Sequence, residues 1–233
     1  MSTTEAQLNE VFNSIQGEGL YTGERQIFVR FAGCNLSCQY CDTNFEAKKQ
    51  ATVAQLVEII QSLDKPKGVS HSISLTGGEP LLQVDFLKNF LPELKTTMKL
   101  PIYLETNGVL PDHLAEIIEL VDIIAFDIKL PSATGLSPYW KEHKKALATA
   151  CLKEVFVKIV FSSESKAKEI MEAVALIAGV DEKIPLVLQP VTPHGPIKHR
   201  PHADQILAFQ AIAKRSLTNV KVIPQTHKLL GLL

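Results

Sequence analysis

The sequence predicts an α/β fold: an open, partial barrel of the (β/α)6 type, with parallel strands inside and helices outside. Six runs rich in β-branched and aromatic residues alternate with six stretches whose apolar residues recur at helical spacing. Such alternation indicates a parallel sheet covered by helices, and six units are fewer than the eight of a closed barrel. We expect one domain over residues 1–233, because no long linker, low-complexity tract or internal repeat divides the chain.

The predicted elements follow one another at a regular rhythm. Strands are predicted at 27–32, 72–76, 102–105, 122–127, 155–161 and 186–191, with shorter strands near 8–12 and 220–223 that extend the edges of the sheet. Helices are predicted at 53–62, 84–98, 111–120, 138–150, 165–178 and 202–216.

Charge and hydropathy exclude two classes of protein. The chain has 24 Lys and Arg against 25 Asp and Glu, whereas a protein whose main partner is nucleic acid would have a basic face. No apolar run approaches the ~20 residues of a membrane helix. Because no charged-then-apolar signal segment opens the sequence, we expect a cytoplasmic protein with reduced thiols.

Three cysteines within eight residues, Cys34, Cys38 and Cys41, are the most informative feature of the sequence. They cannot all pair as disulfides, and a structural zinc site normally takes four ligands, often from two pairs of residues. No second pair is present, although one of the seven histidines could supply a fourth ligand. We favour an iron–sulfur cluster with one iron left open, and zinc or buried thiols are the alternatives. The distant Cys151 is interpreted as a small apolar core residue.

Polar residues follow the predicted strands at the edge where a β/α barrel has its active face. They are Thr76 to Glu79, Glu105 to Gly108, Asp127 to Lys129, and Gln189 to Thr192. Lys158 lies within the fifth strand and is interpreted as a paired or snorkelling lysine rather than as a general base.

The cysteine spacing CxxxCxxC resembles the signature of radical S-adenosylmethionine (SAM) enzymes, and Gly77-Gly78-Glu79-Pro80 resembles their GGEP element. The resemblance implies a [4Fe–4S] cluster on the three cysteines, with SAM chelating the fourth iron. Tyr40 matches the aromatic residue that usually precedes the last cysteine.

The segment from Phe12 to Gly23 resembles the SxQGEGxxxG motif of the 7-carboxy-7-deazaguanine synthases, a radical SAM family of queuosine and deazapurine biosynthesis. Cys41-Asp42-Thr43, Asp127 to Ser132, and Pro224 to Lys228 are similar to further elements of that family. The resemblance implies conversion of 6-carboxy-5,6,7,8-tetrahydropterin to 7-carboxy-7-deazaguanine with loss of ammonia, a bound Mg²⁺, an electron donor such as flavodoxin, and a homodimer.

The family pattern also implies residue roles. Thr43 is assigned to Mg²⁺, and segment 8–24 and tail 220–233 are expected at the substrate. The SAM contacts are Tyr40, Gly78, Glu79, Asp127, Ile128, Lys129 and Gln189; the substrate contacts are Ile15, Gln16, Gly17, Glu18, Arg30, Thr76, Asn107 and His227.

Three of these roles have alternatives, and so does the function. Glu79 could instead cap the following helix, Arg30 could form a structural salt bridge, and Glu18 could be an exposed acid in a turn. An enzyme that installs a glycyl radical on a partner protein would share the cluster and fold, and a zinc-stabilised binding module would need no catalysis. The QGEG segment favours the pterin enzyme.

Overall fold

A nine-stranded sheet forms the framework of the protein in a computed structural model that describes residues 4–232. Residues 1–3 and 233, which belong to the predicted domain and tail, lie outside the described residues. The strand order is β3-β1-β2-β4-β5-β6-β7-β8-β9. The strands are β1 Glu5–Ile15, β2 Arg25–Phe31, β3 Lys49–Thr52, β4 Ser72–Gly77, β5 Ile102–Thr106, β6 Ile123–Asp127, β7 Glu154–Phe161, β8 Leu186–Pro190 and β9 Val220–Val222.

The helices cover the outer face of this sheet. They are α1 Val53–Leu63, α2 Val84–Thr97, α3 Pro111–Ile117, α4 Pro131–Thr134, α5 Trp140–Ala150, α6 Ala167–Ala178, α7 Ala203–Ala213 and α8 His227–Leu230, with 3₁₀ turns at Gly19–Tyr21, Pro80–Gln83 and Ile118–Leu120. Within residues 4–232, no helix is long and apolar enough to cross a membrane.

The structure confirms the open α/β sheet and extends it. The run from β2 through β4 to β9 is parallel, as predicted, and its two outer strands do not pair with each other. The strand predicted near residues 8–12 is longer, is antiparallel to β2, and does not form the edge. The edge on that side is β3, an unpredicted strand antiparallel to β1, and the other edge is β9, near the predicted strand 220–223. Cys151 packs against the core as predicted.

Alternation along the strands separates a packed core from a polar interior. In β2, Ile27, Val29 and Phe31 are fully buried in the main hydrophobic core, whereas Phe28 and Arg30 face a cavity. This follows from the two-residue period of a strand. A small apolar cluster packs on the inner face of the sheet, towards the amino ends of the strands. Its buried members are Tyr103, Ile123, Ala125, Phe156 and Val187. Polar side chains are therefore left at the carboxyl ends.

Candidate active site

A cavity of about 600 Å³ brings together nearly all the residues that the sequence singles out. Of the predicted site residues, every one of which the structure describes, only Glu79 and Ile128 do not line it. The others that line it are Ile15, Gln16, Gly17, Glu18, Arg30, Cys34, Cys38, Tyr40, Cys41, Thr43, Thr76, Gly78, Asn107, Asp127, Lys129, Gln189 and His227. Their individual ligands remain predictions.

The three clustered cysteines lie on the loop between β2 and β3, which packs closely against the end of β4. The Gly33 N–H donates to the Phe45 carbonyl (3.0 Å), and the Leu36 N–H donates to Cys34 Sγ (3.5 Å). Gly78 permits this packing, because a Cβ there would lie 1.8 Å from the Gly33 carbonyl oxygen. All three thiols are free and partly buried.

The thiols form a donor set that suits a cluster. Burial raises the pKa of Cys38 to about 11 and also raises the pKa of Cys34, a penalty that a bound cation would offset. In the described part of the chain, no group of three His, Cys, Asp or Glu side chains is placed to hold a single metal ion. The three sulfurs share a cavity, and in a cluster each thiolate can bind a separate iron.

Lys129 connects the end of β6 with the cysteine loop. Its Nζ donates to Asp127 Oδ2 (2.8 Å) and to the Tyr40 hydroxyl (3.1 Å). Burial opposes the charge on Lys129, but Asp127 and Tyr40 outweigh it and raise the pKa of Lys129 well above its usual range. Asp127 Oδ1 is buried and has no partner among residues 4–232. Because an unpaired buried acceptor is costly, this oxygen is suited to a ligand's donor.

An ion-pair network links Glu18 to Asp127 through Lys158. Lys158 Nζ contacts Glu18 Oε2 and lies 3.6 Å from Asp127 Oδ2, and Gln225 Nε2 donates to Glu18 Oε1 (2.8 Å). Burial opposes ionisation of Glu18, yet the Lys158 charge and these hydrogen bonds lower its pKa to about 2. Lys158 is thus a paired lysine, as its sequence context indicated, and Glu18 is an ionised acceptor rather than a freely exposed acid.

A second polar network, centred on Glu105, lies on the wall of the cavity. Glu105 Oε1 accepts a hydrogen bond from Gln16 Nε2 (3.0 Å), and Oε2 accepts one from the Thr76 hydroxyl (3.0 Å). Gln16 also donates to Gln26 and accepts from the Glu18 N–H, so its carboxamide bonds within the chain. The sequence analysis placed Glu105 at the active edge but gave it no individual role; its position two residues after the inward-facing Tyr103 puts both side chains on the same face of β5.

Glu79 and Ile128 lie behind the cavity wall. Glu79 is fully buried; Oε1 accepts from the Leu81 N–H and the Thr106 hydroxyl, and Oε2 accepts from the Asn107 N–H. Burial raises the pKa of Glu79 to about 7, although these donors oppose the rise. Its carboxylate therefore caps a 3₁₀ turn, which was the alternative interpretation, and a direct SAM contact remains a prediction. Ile128 is fully buried.

Arg30 and Thr43 line the cavity with a guanidinium and a hydroxyl group. Arg30 Nε donates to Glu10 Oε1 (2.8 Å), and its guanidinium lies 5.5 Å from the centre of the Phe12 ring. The ion pair with Glu10 is the salt bridge that the sequence analysis gave as the alternative role of Arg30. The other N–H groups of the Arg30 guanidinium remain available to a ligand. The Thr43 hydroxyl has no hydrogen-bond partner among the residues described.

The tail folds over the N-terminal segment at the mouth of the cavity. The Thr226 N–H donates to the Gly17 carbonyl (2.9 Å), and Lys228 pairs with Asp42 just after the cysteines. Position 17 must be glycine in this arrangement, because a Cβ there would lie 2.1 Å from His227 Nδ1. The tail, the QGEG segment and the cysteine loop therefore share one cavity.

Comparison with known proteins agrees with this arrangement. A family model described as the Radical SAM superfamily matches residues 28–176. A 7-carboxy-7-deazaguanine synthase of Geobacter sulfurreducens is 41% identical, covering 99% of both chains, and one of Methanothermobacter thermautotrophicus is 38% identical, covering 100% of both. The chain belongs to the 7-carboxy-7-deazaguanine synthase family. Among solved structures, QueE from Escherichia coli has a TM-score of 0.60 at 20% identity, covering 94% of this chain and 93% of that one, a likeness that concerns the fold.

Membership in the 7-carboxy-7-deazaguanine synthase family, and in the radical SAM superfamily, implies a [4Fe–4S] cluster and SAM. The residues present fit both groups. Three thiols without a fourth cysteine on the cavity suit a cluster with one open iron. The unpartnered buried acceptors Asp127 Oδ1 and Gln189 Oε1 line the same cavity and suit a ligand rich in N–H and O–H donors, as SAM is.

Proposed function

We propose that the protein converts 6-carboxy-5,6,7,8-tetrahydropterin to 7-carboxy-7-deazaguanine, with loss of ammonia, in deazapurine biosynthesis. The observation that carries the proposal is the sharing of one cavity by the cysteine loop and residues 15–18, in a chain similar over its full length to enzymes of that name. A glycyl-radical activating enzyme or a zinc module would leave this similarity unexplained.

Substrate recognition in this proposal uses the N-terminal segment and Arg30. The ionised Glu18 accepts hydrogen bonds from the N–H edge of the pterin, and Lys158 keeps it ionised at neutral pH. Arg30 receives the substrate carboxylate, because its guanidinium has donors beyond the Nε that Glu10 occupies. Ile15, Gly17, Thr76 and His227 line the same cavity, and Asn107 lines it beside the cysteine loop, where its carboxamide can reach SAM or the pterin.

SAM binding uses the wall formed by the ends of β4, β6 and β8. Gly78 lines the cavity and contacts SAM through its backbone, and Asp127 Oδ1 and Gln189 Oε1 accept hydrogen bonds from SAM. Lys129 holds Asp127 and Tyr40 beside the cluster. When bound, a reduced cluster and SAM supply radical hydrogen abstraction, and the chain contributes orientation and exclusion of side reactions.

Mg²⁺, the homodimer and the electron donor are finer parts of the proposal. The Thr43 hydroxyl lines the cavity without a partner among the described residues and would supply one oxygen to Mg²⁺, while water and substrate oxygens would supply the others. The open edges of the sheet at β3 and β9 offer unpaired backbone groups for a second copy. A flavodoxin-type donor supplies the electron.

The test is anaerobic incubation of cluster-loaded protein with the pterin, SAM, reductant and Mg²⁺, monitored for the deazapurine chromophore. We expect product from the natural chain and none from Cys38→Ala, which also loses the brown colour of the cluster. Thr43→Ala should keep the cluster and change the Mg²⁺ dependence. Formation of 5′-deoxyadenosine without deazapurine would retain radical SAM chemistry and overturn the proposed substrate.

A further inference from the structure

His143 is a fully buried histidine on α5 to which the proposed chemistry gives no role. Its Nε2 lies 3.1 Å from the carbonyl oxygen of Asn107. A carbonyl can only accept, so Nε2 carries the hydrogen and Nδ1 is an acceptor. No residue in the described part of the chain donates to Nδ1. The ring packs beside Phe126, Tyr139 and Trp140.

This burial is hard to explain by packing alone. A leucine would fill a similar space without leaving a buried ring nitrogen unpaired, and an unpaired buried acceptor is destabilising. Burial lowers the pKa of His143 to about 4, so the ring is neutral at physiological pH and contributes no charge. Among residues 4–232, the ring's hydrogen bond is to the Asn107 carbonyl, and Nδ1 has no partner.

Asn107, in turn, has a hydrogen-bond partner for each of its backbone and side-chain polar groups. Its N–H donates to Glu79 Oε2 (2.8 Å), its Oδ1 accepts from the Val109 N–H (3.1 Å), and its Nδ2 donates to Asn35 Oδ1 (2.8 Å). The second hydrogen on Nδ2 is left for a ligand, and Asn107 lines the cavity. His143 supplies the remaining restraint, at the carbonyl.

We propose that His143 is a positioning residue for the SAM side of the site: it holds Asn107 so that one carboxamide bridges the cysteine loop and bound SAM. Asn35 directly follows Cys34, so a rotation of Asn107 would disturb the loop that carries the cluster. The inference rests on the proposed function, because it requires SAM in this cavity. Residues that orient the ligands of a metal typically contribute to the affinity for that metal. His143 would act in the same way on a residue that contacts SAM.

The test compares His143→Gln with His143→Asn. The Gln amide nitrogen reaches the place of Nε2 and can donate to the Asn107 carbonyl, whereas the shorter Asn amide ends near Nδ1 and cannot. SAM dissociation constants are measured on cluster-loaded, oxidised protein, so no turnover is involved, and the electron paramagnetic resonance spectrum of the reduced cluster is recorded with and without SAM. We expect His143→Asn to weaken SAM binding about tenfold and to alter the SAM-induced spectral change, and His143→Gln to stay within about threefold of the natural chain.

His113→Gln is the matched control. His113 Nδ1 bonds the Leu81 carbonyl (2.8 Å), so this variant also loses a histidine–carbonyl contact, but one outside the cavity. We expect its SAM affinity to be unchanged, even where its thermal stability falls as far as that of His143→Asn.

Three results would overturn the inference: natural SAM affinity in His143→Asn, equal impairment of the Gln and Asn variants, or equal loss in the control. If His143→Asn fails to take up the cluster, hydrogen exchange of the Val109 amide is measured in metal-free protein, because that N–H donates to Asn107 Oδ1. The inference requires faster exchange in the Asn variant than in the Gln variant. Failure of the natural chain to bind SAM would instead contradict the proposed function.

Discussion

Lys158 neutralises a carboxylate that would otherwise be buried without a cationic partner, so its removal should be costly. Its Nζ contacts Glu18 Oε2 and lies 3.6 Å from Asp127 Oδ2, and its side chain is 11% exposed. Lys158→Met keeps most of the length of the side chain and removes the charge. Asp127 keeps its closer partner Lys129, so the change acts mainly on Glu18.

The pKa of Glu18 sets the expected magnitude. A carboxyl lowered from 4.5 to about 2 is stabilised in the folded chain by about 3 kcal/mol. Because the folded pKa lies below the unfolded one, this stabilisation is complete above pH 4.5 and is lost as the pH falls towards 2. We therefore expect Lys158→Met to lower the free energy of unfolding by about 3 kcal/mol at pH 7, as is common when one partner of a buried pair is removed.

Urea unfolding of the metal-free protein at pH 7 and pH 4 measures this effect. The loss of stability should be smaller at pH 4, where Glu18 in the variant becomes protonated. It should be smaller again in a Glu18→Gln background, because no buried carboxylate is then left without a cationic partner. Lys145→Met removes an exposed pairing with Asp112 and should leave stability nearly unchanged. A loss below about 1 kcal/mol at pH 7, or an equal loss in the Glu18→Gln background, would refute the reasoning.

Three further outcomes follow from the site. Gly17→Ala places a methyl group on the His227 ring, so residues 224–230 should exchange amide hydrogens faster; unchanged protection would contradict the close contact. Arg30→Ala should weaken pterin binding about tenfold with SAM binding unchanged, because charged hydrogen bonds to the substrate are lost, and an equal loss for both ligands would make Arg30 structural. Glu79 has a folded pKa of about 7, above its usual value, so its contribution to stability is lost as the pH rises through 7. Metal-free protein should therefore unfold more readily at pH 8 than at pH 6, and Glu79→Gln should flatten that difference.

The sequence predicted the parallel part of the fold because hydrophobic periodicity is local information. Runs such as Val157, Ile159 and Phe161 alternate with inward-facing residues, and the alternation survives in the structure. The edge strand Lys49–Thr52 has no such pattern, since it is a strand only through its pairing with β1. Pairing of that kind depends on distant residues, and a local pattern does not reveal it.

The sequence motifs predicted which residues lie at the site better than they predicted the hydrogen-bond partners of those residues. The cysteine loop, QGEG and GGEP elements predicted residues that line a single cavity, but not which polar atoms bond within the chain. Glu79 turned out to cap a 3₁₀ turn, and Gln16 bonds to Glu105 and Gln26. His143 carries no motif at all. Its contact with Asn107 spans 36 residues and depends on how α5 packs against the end of β5.

The contacts between tail and N-terminal segment have a consequence for synthesis of the chain. Thr226 and Gly17 are separated by 209 positions, and Gln225 and Glu18 by 207. Residues 17 and 18 are therefore synthesised 209 and 207 positions before these partners. A nascent chain can thus assemble its sheet while the mouth of the cavity is still unfinished, and the turn around Gly17 acquires its final neighbours only once residues 225–228 have emerged.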